Sequence, residues 1–317
     1  MRVLVTGATG FVGQHLVRYL VARGHAVYGT YLATGSIENV AGVELLRCDV
    51  RDASRLRTIV NQSRPQRIYH LAGLSSVTQS FGGCRAVFET NFWGTFNLLE
   101  AVRQAVPEAR VLVVSSGQCY GQVKPAELPL TESHPFSPQS PYALSKAAAD
   151  MLADHDYQRF GLHIIRARPF NHTGPGQAPQ FVCSDLARQI ASTELRLSRP
   201  ILHVGDLTVR RDFSDVRDIV RAYELLLEKG EPGEAYNVAS GRTTSVKQMV
   251  RLLASFCSRP IRISVQRHRL RPGEVRTLYG SNRKLRRATG WRPEYGLETT
   301  LRDLYVYWRE TLLSEKS

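Results

Sequence analysis

Short apolar runs alternate with helical stripes through the first half of the chain. Residues 2–6 read RVLVT, and residues 11–23 follow with apolar side chains three and four positions apart. Gly24 ends that predicted helix, and Ala26 begins a second strand. Further strands are predicted at 43–46, 67–71, 111–115 and 163–167, and further helices at 52–63, 85–106 and 142–160. This alternation predicts a parallel sheet with helices on both faces, because parallel strands need crossover connections.

The second half follows a less regular pattern. After Pro169 the chain is rich in Gly and Pro but has no long linker or repeat, which predicts a second, smaller lobe. We therefore predict a doubly wound α/β Rossmann domain over residues 1–168, to which the chain returns near 208–232. Residues 169–207 and 233–317 are predicted to form a smaller α/β lobe that binds substrate. The site is expected in the crevice between them, where open α/β sheets bind ligands.

Composition narrows the class of protein. The chain has 317 residues, 43% hydrophobic and 22% charged, which is typical of a globular protein. No run reaches the ~18–20 apolar residues of a membrane helix, and no cleavable export signal opens the sequence, so we expect a cytoplasmic location and no membrane partner. The five cysteines form no CxxC pair, which predicts reduced thiols and no metal site.

The net charge of +14 is concentrated near the C-terminus. Between Arg259 and Arg292 the chain has eleven Arg or Lys residues and a single acid, Glu274. This window has no nucleic-acid-binding motif and little aromatic interleaving, so we predict no nucleic-acid partner. We interpret it as a solvated basic face with a few arginines that contact phosphate.

A glycine motif lies between the first predicted strand and its helix. Residues 7–13 read GATGFVG, and the backbone of such a turn can approach a pyrophosphate at a positive helix N-terminus. Any glycine-rich turn gives a similar spacing, but this position at the first strand–helix junction favours a dinucleotide site. The predicted cofactor contacts are Gly7, Thr9, Gly10, Phe11, Val12 and Gly13.

The end of the second strand leaves the choice of dinucleotide open. An acid there would hold the adenosine ribose of NAD, but residues 29–32 read GTYL, with no acid and no arginine for a 2′-phosphate. NADPH is therefore mildly favoured over NADH. Asp49 and Val50 end the third strand and could contact the adenine amine. A turn or a helix cap is the alternative role for Asp49.

The most informative chemical pattern is Tyr142 followed by Lys146. Residues at i and i+4 share a helix face, and a nearby ammonium lowers the pKa of a phenol from its usual value of ~10. This spacing is common by chance. The functional interpretation is strengthened because Ser115 and Ser116 end a predicted strand, and parallel sheets bind their ligands at the carboxyl ends of the strands. Ser116, Tyr142 and Lys146 are predicted to support hydride transfer at an alcohol or ketone carbon.

Several motifs together resemble the extended short-chain dehydrogenase/reductases that act on nucleotide sugars. They are the glycine motif, 70–73 (HLAG), 115–121 (SSGQCYG) and 140–146 (SPYALSK). Four later segments, 168–177, 209–218, 236–241 and 270–275, resemble the GDP-mannose branch of that family. Within the branch, the chain is most similar to the reductases that convert GDP-4-keto-6-deoxy-D-mannose to GDP-D-rhamnose.

The resemblance implies roles for the matched residues. Ser116 would bind the C4 oxygen of the sugar, Tyr142 would protonate it as hydride arrives, and Lys146 would also hold the nicotinamide ribose. Further cofactor contacts are implied at Leu71, Ala72, Pro169 and His172. Contacts to the GDP-sugar are implied at Ser75, Asn171, Arg211, Arg271 and Glu274. A surface ion pair is the alternative role for each arginine.

One position separates this chain from the GDP-mannose 4,6-dehydratases of the same branch. Those enzymes resemble it over the same segments, but their elimination step uses a glutamate base two residues before the tyrosine of the Tyr-Gly pair. That position is Gln118 here, and the serine before it is replaced by Gly117. A neutral amide cannot remove a sugar C5 proton at a useful rate, so the sequence favours ketone reduction over dehydration.

Two other functions stay open, and the resemblance also implies an assembly. A nucleotide-sugar 4-epimerase would retain NAD, but it usually has the strand-two acid that this chain lacks. A non-catalytic sensor of NAD(P) usually lacks the tyrosine or the lysine, and both are present. The family resemblance implies a homodimer in which helices 85–106 and 142–160 of each copy form a four-helix interface.

Overall fold

The computed structural model describes residues 1–32, 42–269 and 275–315. The strands are β1 (Arg2–Thr6), β2 (Ala26–Tyr31), β3 (Val43–Arg47), β4 (Arg67–His70), β5 (Arg110–Val114), β6 (Ile164–Pro169), β7 (Asn171–Thr173), β8 (Ile201–Val204), β9 (Arg210–Arg211), β10 (Phe213–Asp215), β11 (Ala235–Val238), β12 (Thr244–Ser245), β13 (Arg262–Val265) and β14 (Thr277–Leu278). Each strand predicted in the first half of the sequence is present.

The helices match the predicted stripes, with one interruption. They are α1 (Phe11–Ala22), α2 (Ala53–Ser63), α3 (Val77–Ser80), α4 (Cys84–Phe88), α5 (Gly94–Ala105), α6 (Pro141–Phe160), α7 (Val182–Glu194), α8 (Val216–Lys229), α9 (Val246–Ala254), α10 (Arg283–Thr289) and α11 (Leu297–Ser314). The single helix predicted at 85–106 is divided, because the π-helix Glu89–Trp93 separates α4 from α5. Among the described residues, no helix is long and apolar enough to span a membrane.

A parallel sheet forms the centre of the fold. In the described residues it has seven strands, in the order β11-β6-β5-β4-β1-β2-β3, and every neighbouring pair is parallel. The strand order reverses between β1 and β4, which is where doubly wound sheets open a crevice for ligands. The predicted doubly wound Rossmann fold is confirmed.

Apolar side chains cover both faces of this sheet. On one face, α1 and α8 pack on the strands through residues such as Leu16, Leu20 and Leu226, which are fully buried. On the other face, α2 and α5 bury Leu56, Leu98 and their neighbours. Fully burying such side chains stabilises the fold by roughly 1.5–3 kcal/mol each, which gives the sheet a firm base for a site at its edge.

A separate apolar cluster lies outside the sheet. Helices α7, α9 and α11 bury residues that include Leu186, Met249 and Leu304, together with side chains from β8. Small sheets made of β8 with β13 and of β9 with β12 and β14 belong to this half of the chain. The predicted division into two lobes remains a prediction, and β11, which the sequence assigned to the smaller lobe, pairs with β6 in the large sheet.

Helix α6 matters most for the site, and local signals fix both of its ends. The side chain of Ser140 accepts a hydrogen bond from the Ala143 backbone N–H at 3.1 Å, and Pro141 takes the first helical position. At the other end Gly161 adopts a left-handed conformation with φ of 68°, which ends the helix. These signals set the position of Tyr142 within the first turn, next to the ends of the strands.

Candidate active site

The predicted site residues lie along one edge of the parallel sheet. Strand register pairs Thr6 with His70, His70 with Val113, and Val114 with Ala167. The residues that immediately follow these strands therefore lie side by side. In this way the fold brings together the glycine motif, Leu71 and Ala72, and Ser115 and Ser116, segments that are far apart in the sequence.

The glycine motif forms a tight turn against the loop after β4. Gly7 has φ of 71°, and a Cβ atom there would lie 2.9 Å from the Ala72 backbone. A Cβ atom at Gly13 would lie 2.1 Å from the Gly7 carbonyl oxygen. No side chain caps the N-terminus of α1, so its backbone N–H groups are available to an anion. This geometry fits the pyrophosphate of a dinucleotide.

Two histidines enclose the start of α1. The rings of Phe11 and His172 are stacked, with centroids 6.2 Å apart, while His15 meets Phe11 edge-on and bonds the Pro175 carbonyl at 2.8 Å. Burial lowers the pKa of both histidines, so both are neutral near pH 7. The segment after β6 is thereby held over the glycine motif, where the sequence placed the cofactor contact His172.

Tyr142 and Ser116 face each other at the centre of the edge. Burial raises the pKa of Tyr142 to about 12, and interaction with the Ser116 hydroxyl opposes that rise. The sequence predicted a lowered pKa for this phenol. The structure differs because burial, which disfavours the phenolate, outweighs the neighbouring groups. Tyr142 is consequently protonated at neutral pH.

Lys146 is buried one turn after Tyr142. Its Nζ atom donates a hydrogen bond to the Val114 carbonyl at 2.8 Å, and its own backbone carbonyl accepts one from Ser115 Oγ at 3.3 Å. Burial lowers the pKa of Lys146 to about 8. The helix and the strand end are thus joined, and with a pKa of about 8 the Lys146 ammonium can release a proton, and the neutral amine accept one, near physiological pH.

His70 is a further buried group close to Lys146. It bonds Thr6 Oγ1 at 2.8 Å through one ring nitrogen and Thr95 Oγ1 at 3.1 Å through the other. Burial, with a contribution from the Lys146 charge, lowers the pKa of His70 to about 3. His70 therefore stays neutral and connects β1, β4 and α5. Because both of its ring nitrogens are hydrogen-bonded within the protein, it is not available for acid–base catalysis.

Asn91 is a residue that the sequence analysis missed. It is buried in the π-helix, where its Oδ1 accepts from the Leu74 N–H at 2.8 Å and its Nδ2 donates to the Leu74 carbonyl at 3.0 Å. The same Nδ2 donates to Ser145 Oγ at 2.9 Å. Asn91 therefore ties the loop that precedes Ser75 to the helix of Tyr142 and Lys146. Asn91 has no strong signal in the sequence, because the π-helix that holds it has no recognisable sequence pattern.

Gln118 lies in a short 3₁₀-helix directly after Ser116. The Ser116 hydroxyl accepts a hydrogen bond from the Gln118 backbone N–H at 3.1 Å, which fixes the turn Gly117–Tyr120. A Cβ atom at Gly117 would lie 3.0 Å from the ring of Phe170, closer than side chains usually pack. The neutral amide of Gln118 thus lies two residues after Ser116, and the ring of Phe170 leaves little room for a side chain at Gly117.

Three of the residues implied for substrate binding, Ser75, Asn171 and Arg211, lie outside the strands of the seven-stranded sheet. Asn171 pairs with Phe213 in the two-stranded sheet of β7 and β10. Arg211 lies two residues before Phe213, is buried, and donates from Nη1 to the Arg210 carbonyl at 2.9 Å. Ser75 is exposed on the loop after β4. The implied contacts Arg271 and Glu274 lie outside the described residues.

At the adenine end of the predicted cofactor site, the side chain of Arg51 already binds Asp49. Asp49 is bonded by its neighbour Arg51, with Nη2 to Oδ2 at 2.6 Å and the backbone N–H to Oδ1 at 2.9 Å. The Arg51 side chain is the main reason that the pKa of Asp49 is lowered. Both residues line a surface depression of about 470 Å³. Asp52, and not Asp49, caps the following helix.

With this geometry established, the chain can be compared with known proteins. Residues 4–304 match the family model described as GDP-mannose 4,6 dehydratase. A GDP-6-deoxy-D-mannose reductase from Pseudomonas aeruginosa is 36% identical over 314 residues, which cover 99% of each chain. A GDP-mannose 4,6-dehydratase from Sinorhizobium fredii is 30% identical and covers 95% of this chain and 93% of its own.

Solved structures agree with these relatives. The structure of RMD from Pseudomonas aeruginosa complexed with NADPH has a TM-score of 0.86 at 35% identity, covering 98% of this chain and 100% of its own. UDP-glucose 4-epimerase from Thermus thermophilus in complex with NAD has a TM-score of 0.87 at 33% identity, covering 98% and 99%. The fold class and the family resemblance are confirmed. The chain belongs to the GDP-mannose 4,6-dehydratase family and is an NAD(P)-dependent oxidoreductase of the short-chain dehydrogenase/reductase type.

Proposed function

We propose that this protein reduces the C4 ketone of GDP-4-keto-6-deoxy-D-mannose and releases GDP-D-rhamnose. The observation that carries the proposal is the neutral Gln118 amide two residues after Ser116, in a chain that has the complete set of Ser116, Tyr142 and Lys146. Reduction of a ketone needs a proton donor but no carbon base. Dehydration needs a base at C5, which an amide does not supply.

The protonation states suit a reductase. Because the pKa of Tyr142 is raised to about 12, the phenol holds its proton until a more basic alkoxide develops at C4. Ser116 holds the C4 oxygen and keeps it within reach of that proton. Lys146, whose pKa is lowered to about 8, then returns a proton to the phenolate, a transfer that runs downhill between these two groups.

The cofactor would bind across the glycine motif. Residues Gly7 to Gly13 would hold the pyrophosphate, Leu71, Ala72, Pro169 and His172 would border the nicotinamide half, and Lys146 would bind its ribose. When bound, the reduced dinucleotide supplies the hydride for C4. NADPH is favoured over NADH because no carboxylate ends β2, where the Thr30 hydroxyl accepts from the Gly7 N–H at 3.2 Å. Asp49 and Val50 would meet adenine once Arg51 makes room.

The substrate contacts follow from position and charge. Arg211 would grip the diphosphate with its planar guanidinium, which suits two phosphate oxygens at once. Ser75 and Asn171 would hydrogen-bond the sugar or its diphosphate from the loops after β4 and β6. Arg271 and Glu274 remain proposed contacts to the nucleotide ribose and phosphate.

We also propose that two copies associate through α5 and α6. These helices lie side by side, with the Arg103 guanidinium 5.1 Å from the Phe160 ring. Their outer surface exposes large apolar side chains, at 52% for Trp93, 49% for Leu144 and 66% for Met151. Exposed apolar patches of this kind mark contact surfaces, and a second copy would cover them as a four-helix interface. Light scattering of the wild type and of Met151→Glu tests this, since a dimer predicts dissociation in the variant.

The function is tested by two reactions run in parallel. The first contains GDP-4-keto-6-deoxy-D-mannose with NADPH or NADH, and the second contains GDP-mannose with the oxidised cofactor. We expect stoichiometric oxidation of the reduced cofactor in the first and no change in the second. If the first reaction stays flat while GDP-mannose yields a 4-keto sugar without net cofactor change, the protein is a dehydratase and the argument from Gln118 is wrong. Interconversion of two C4 epimers by the protein as purified would instead identify an epimerase.

A further inference from the structure

Helix α10 and the turn after it carry a compact cluster of positive charge. Arg283, Arg286 and Arg287 share one face of the helix, since they are three and four positions apart. Gly290 ends the helix with φ of 76°, and the chain reverses so that Arg292 returns beside them. These four arginines and Gly290 line a surface depression of about 280 Å³. We call this set the α10 arginine cluster.

The charges of the α10 arginine cluster are not neutralised within the described part of the chain. All four side chains are exposed, and none is within ion-pair distance of a described carboxylate. Some exposed arginines elsewhere are paired, since Arg85, Arg103 and Arg302 have carboxylates at 2.7, 2.9 and 3.2 Å. Like charges at i and i+4 oppose helix formation. The positive charge of the α10 arginine cluster is therefore left for solvent or a bound anion to offset.

The backbone beneath the cluster is fixed. Leu285 and Trp291 are fully buried in the core of the sheet domain, and the Trp291 indole donates to the Asp218 carbonyl at 3.0 Å. The Arg292 carbonyl accepts from Arg221 on α8 at 3.5 Å. A rigid support under the four side chains lowers the entropy cost of ordering them around a ligand.

The four arginines are not among the residues predicted to bind the cofactor or the sugar nucleotide. Helix α10 packs beside β11 and α8: Asn282, just before the helix, donates to the Ala239 carbonyl at 2.9 Å, and Lys284 pairs with Glu234. Ser116 and the glycine motif instead follow β5 and β1. The test of a ligand in this depression therefore has to be made with the predicted cofactor and nucleotide sites already filled.

We propose that the α10 arginine cluster binds a small oligophosphate, either free or as the phosphate chain of a nucleotide. Guanidinium groups match phosphate oxygens in pairs, and a chain of phosphates supplies the several negative charges needed to balance the cluster. The lining contains no aromatic side chain for stacking a base. The depression is also small, at about 280 Å³ close to the lower limit of ligand pockets. These features favour a compact anion over a nucleic acid.

Calorimetry with inorganic tripolyphosphate tests this inference. The wild-type protein is first saturated with GDP and NADP⁺, so that the phosphate subsites of the catalytic edge are filled. We expect one additional equivalent to bind, with affinity that falls as salt is raised. In Arg286→Ala/Arg287→Ala the affinity should fall about 10-fold, which corresponds to about 1.4 kcal/mol for the two lost guanidinium contacts together. Free GTP titrated in place of tripolyphosphate distinguishes a nucleotide from a bare oligophosphate.

The matched control is Arg262→Ala/Arg267→Ala. It removes the same charge from exposed positions of the same basic window, outside the cluster, and should bind tripolyphosphate as the wild type does. If wild-type protein shows no binding, or both double variants lose affinity equally, the cluster is not a site. Tighter binding of an RNA oligonucleotide through the same arginines would also overturn the proposal. Thermal melting checks that each variant is folded. If Arg286→Ala/Arg287→Ala does not fold, Arg283→Ala/Arg292→Ala replaces it in the titration.

Discussion

The Nζ atom of Lys146 donates a hydrogen bond to the carbonyl oxygen of Val114, at 2.8 Å. Val114 is the last residue of β5, and Ser116 follows two residues later. Lys146, one turn after Tyr142 on α6, is therefore attached to the strand that leads to Ser116. Burial shifts the two groups in opposite directions: it lowers the pKa of Lys146 to about 8 and raises the pKa of Tyr142 to about 12.

A pH dependence follows from Lys146. Its pKa is lowered by burial, so the ammonium is present below about pH 8 and is lost as the pH rises through that value. We expect kcat for ketone reduction to be highest below pH 8 and to decline above it, because neutral lysine cannot return a proton to the phenolate. A series of kcat measurements checks this, with Lys146→Arg as the comparison: it retains the positive charge, but a guanidinium does not release its proton, so its turnover should be low across the whole pH range. A profile that stays flat through pH 8 would remove Lys146 from proton return.

Removing the proton donor should affect chemistry and leave binding alone. In Tyr142→Phe we expect turnover to fall at least ~100-fold, the low end for loss of a general acid, with the cofactor affinity unchanged. Tyr157→Phe, near the far end of the same helix, is the matched control and should keep normal turnover. Steady-state rates and a cofactor titration by fluorescence separate the two effects. Near-normal turnover in Tyr142→Phe would assign the proton to another group.

Asn91 should act as a positioning residue. Asn91→Ala leaves the Leu74 N–H and carbonyl without their side-chain partner and removes the donor to Ser145 Oγ, which keeps its own bond to the Tyr142 carbonyl; the expected cost is about 1–3 kcal/mol. Because it joins the Ser75 loop to α6, we expect a lowered kcat with a raised substrate KM as well as a lower melting temperature. Asn61→Ala, an exposed asparagine on α2, is the control. A variant that melts lower but turns over normally would limit Asn91 to a structural role.

Arg211 should contribute to binding more than to the chemical step. Its proposed diphosphate contact exists in the ground state and in the transition state alike, so Arg211→Ala should raise the substrate KM more than it lowers kcat. The neighbour Arg210, whose guanidinium is held by the Thr243 hydroxyl at 2.8 Å, provides the matched control. A loss confined to kcat would contradict the assignment, as would an equal effect in Arg210→Ala.

The sequence predicted the parts of the fold that local signals encode. The glycine motif, the stop at Gly24 after the first helix, and the alternation of apolar runs each depend on neighbouring residues, and the structure confirms the elements they predict. The family and the dinucleotide chemistry could also be predicted, because their residues cluster in short motifs at the ends of strands. The order of the strands in the sheet was expected only as far as the doubly wound class.

What the sequence could not predict depends on distant neighbours. The raised pKa of Tyr142 results from burial by segments far from α6, which no spacing reveals. The bond of Arg51 to Asp49 depends on side-chain geometry within a loop. Strand β11 follows an irregular stretch, and only its pairing with β6 assigns it to the large sheet. In the sequence Asn91 is not distinguishable from any other helical residue. Only the structure shows that it lies in a π-helix and bonds Leu74 and Ser145.

The most direct test of the proposed reduction follows the transferred hydrogen itself. GDP-4-keto-6-deoxy-D-mannose is incubated with the protein and with NADPH that carries deuterium at the transferable position of its nicotinamide, and the product is examined by NMR. We predict one deuterium at C4 of the sugar for each cofactor oxidised, and none of it in Tyr142→Phe at the same reaction time. Absence of deuterium at C4 in the wild-type product, together with conversion of GDP-mannose in deuterated water to a 4-keto sugar labelled at C5, would contradict the account.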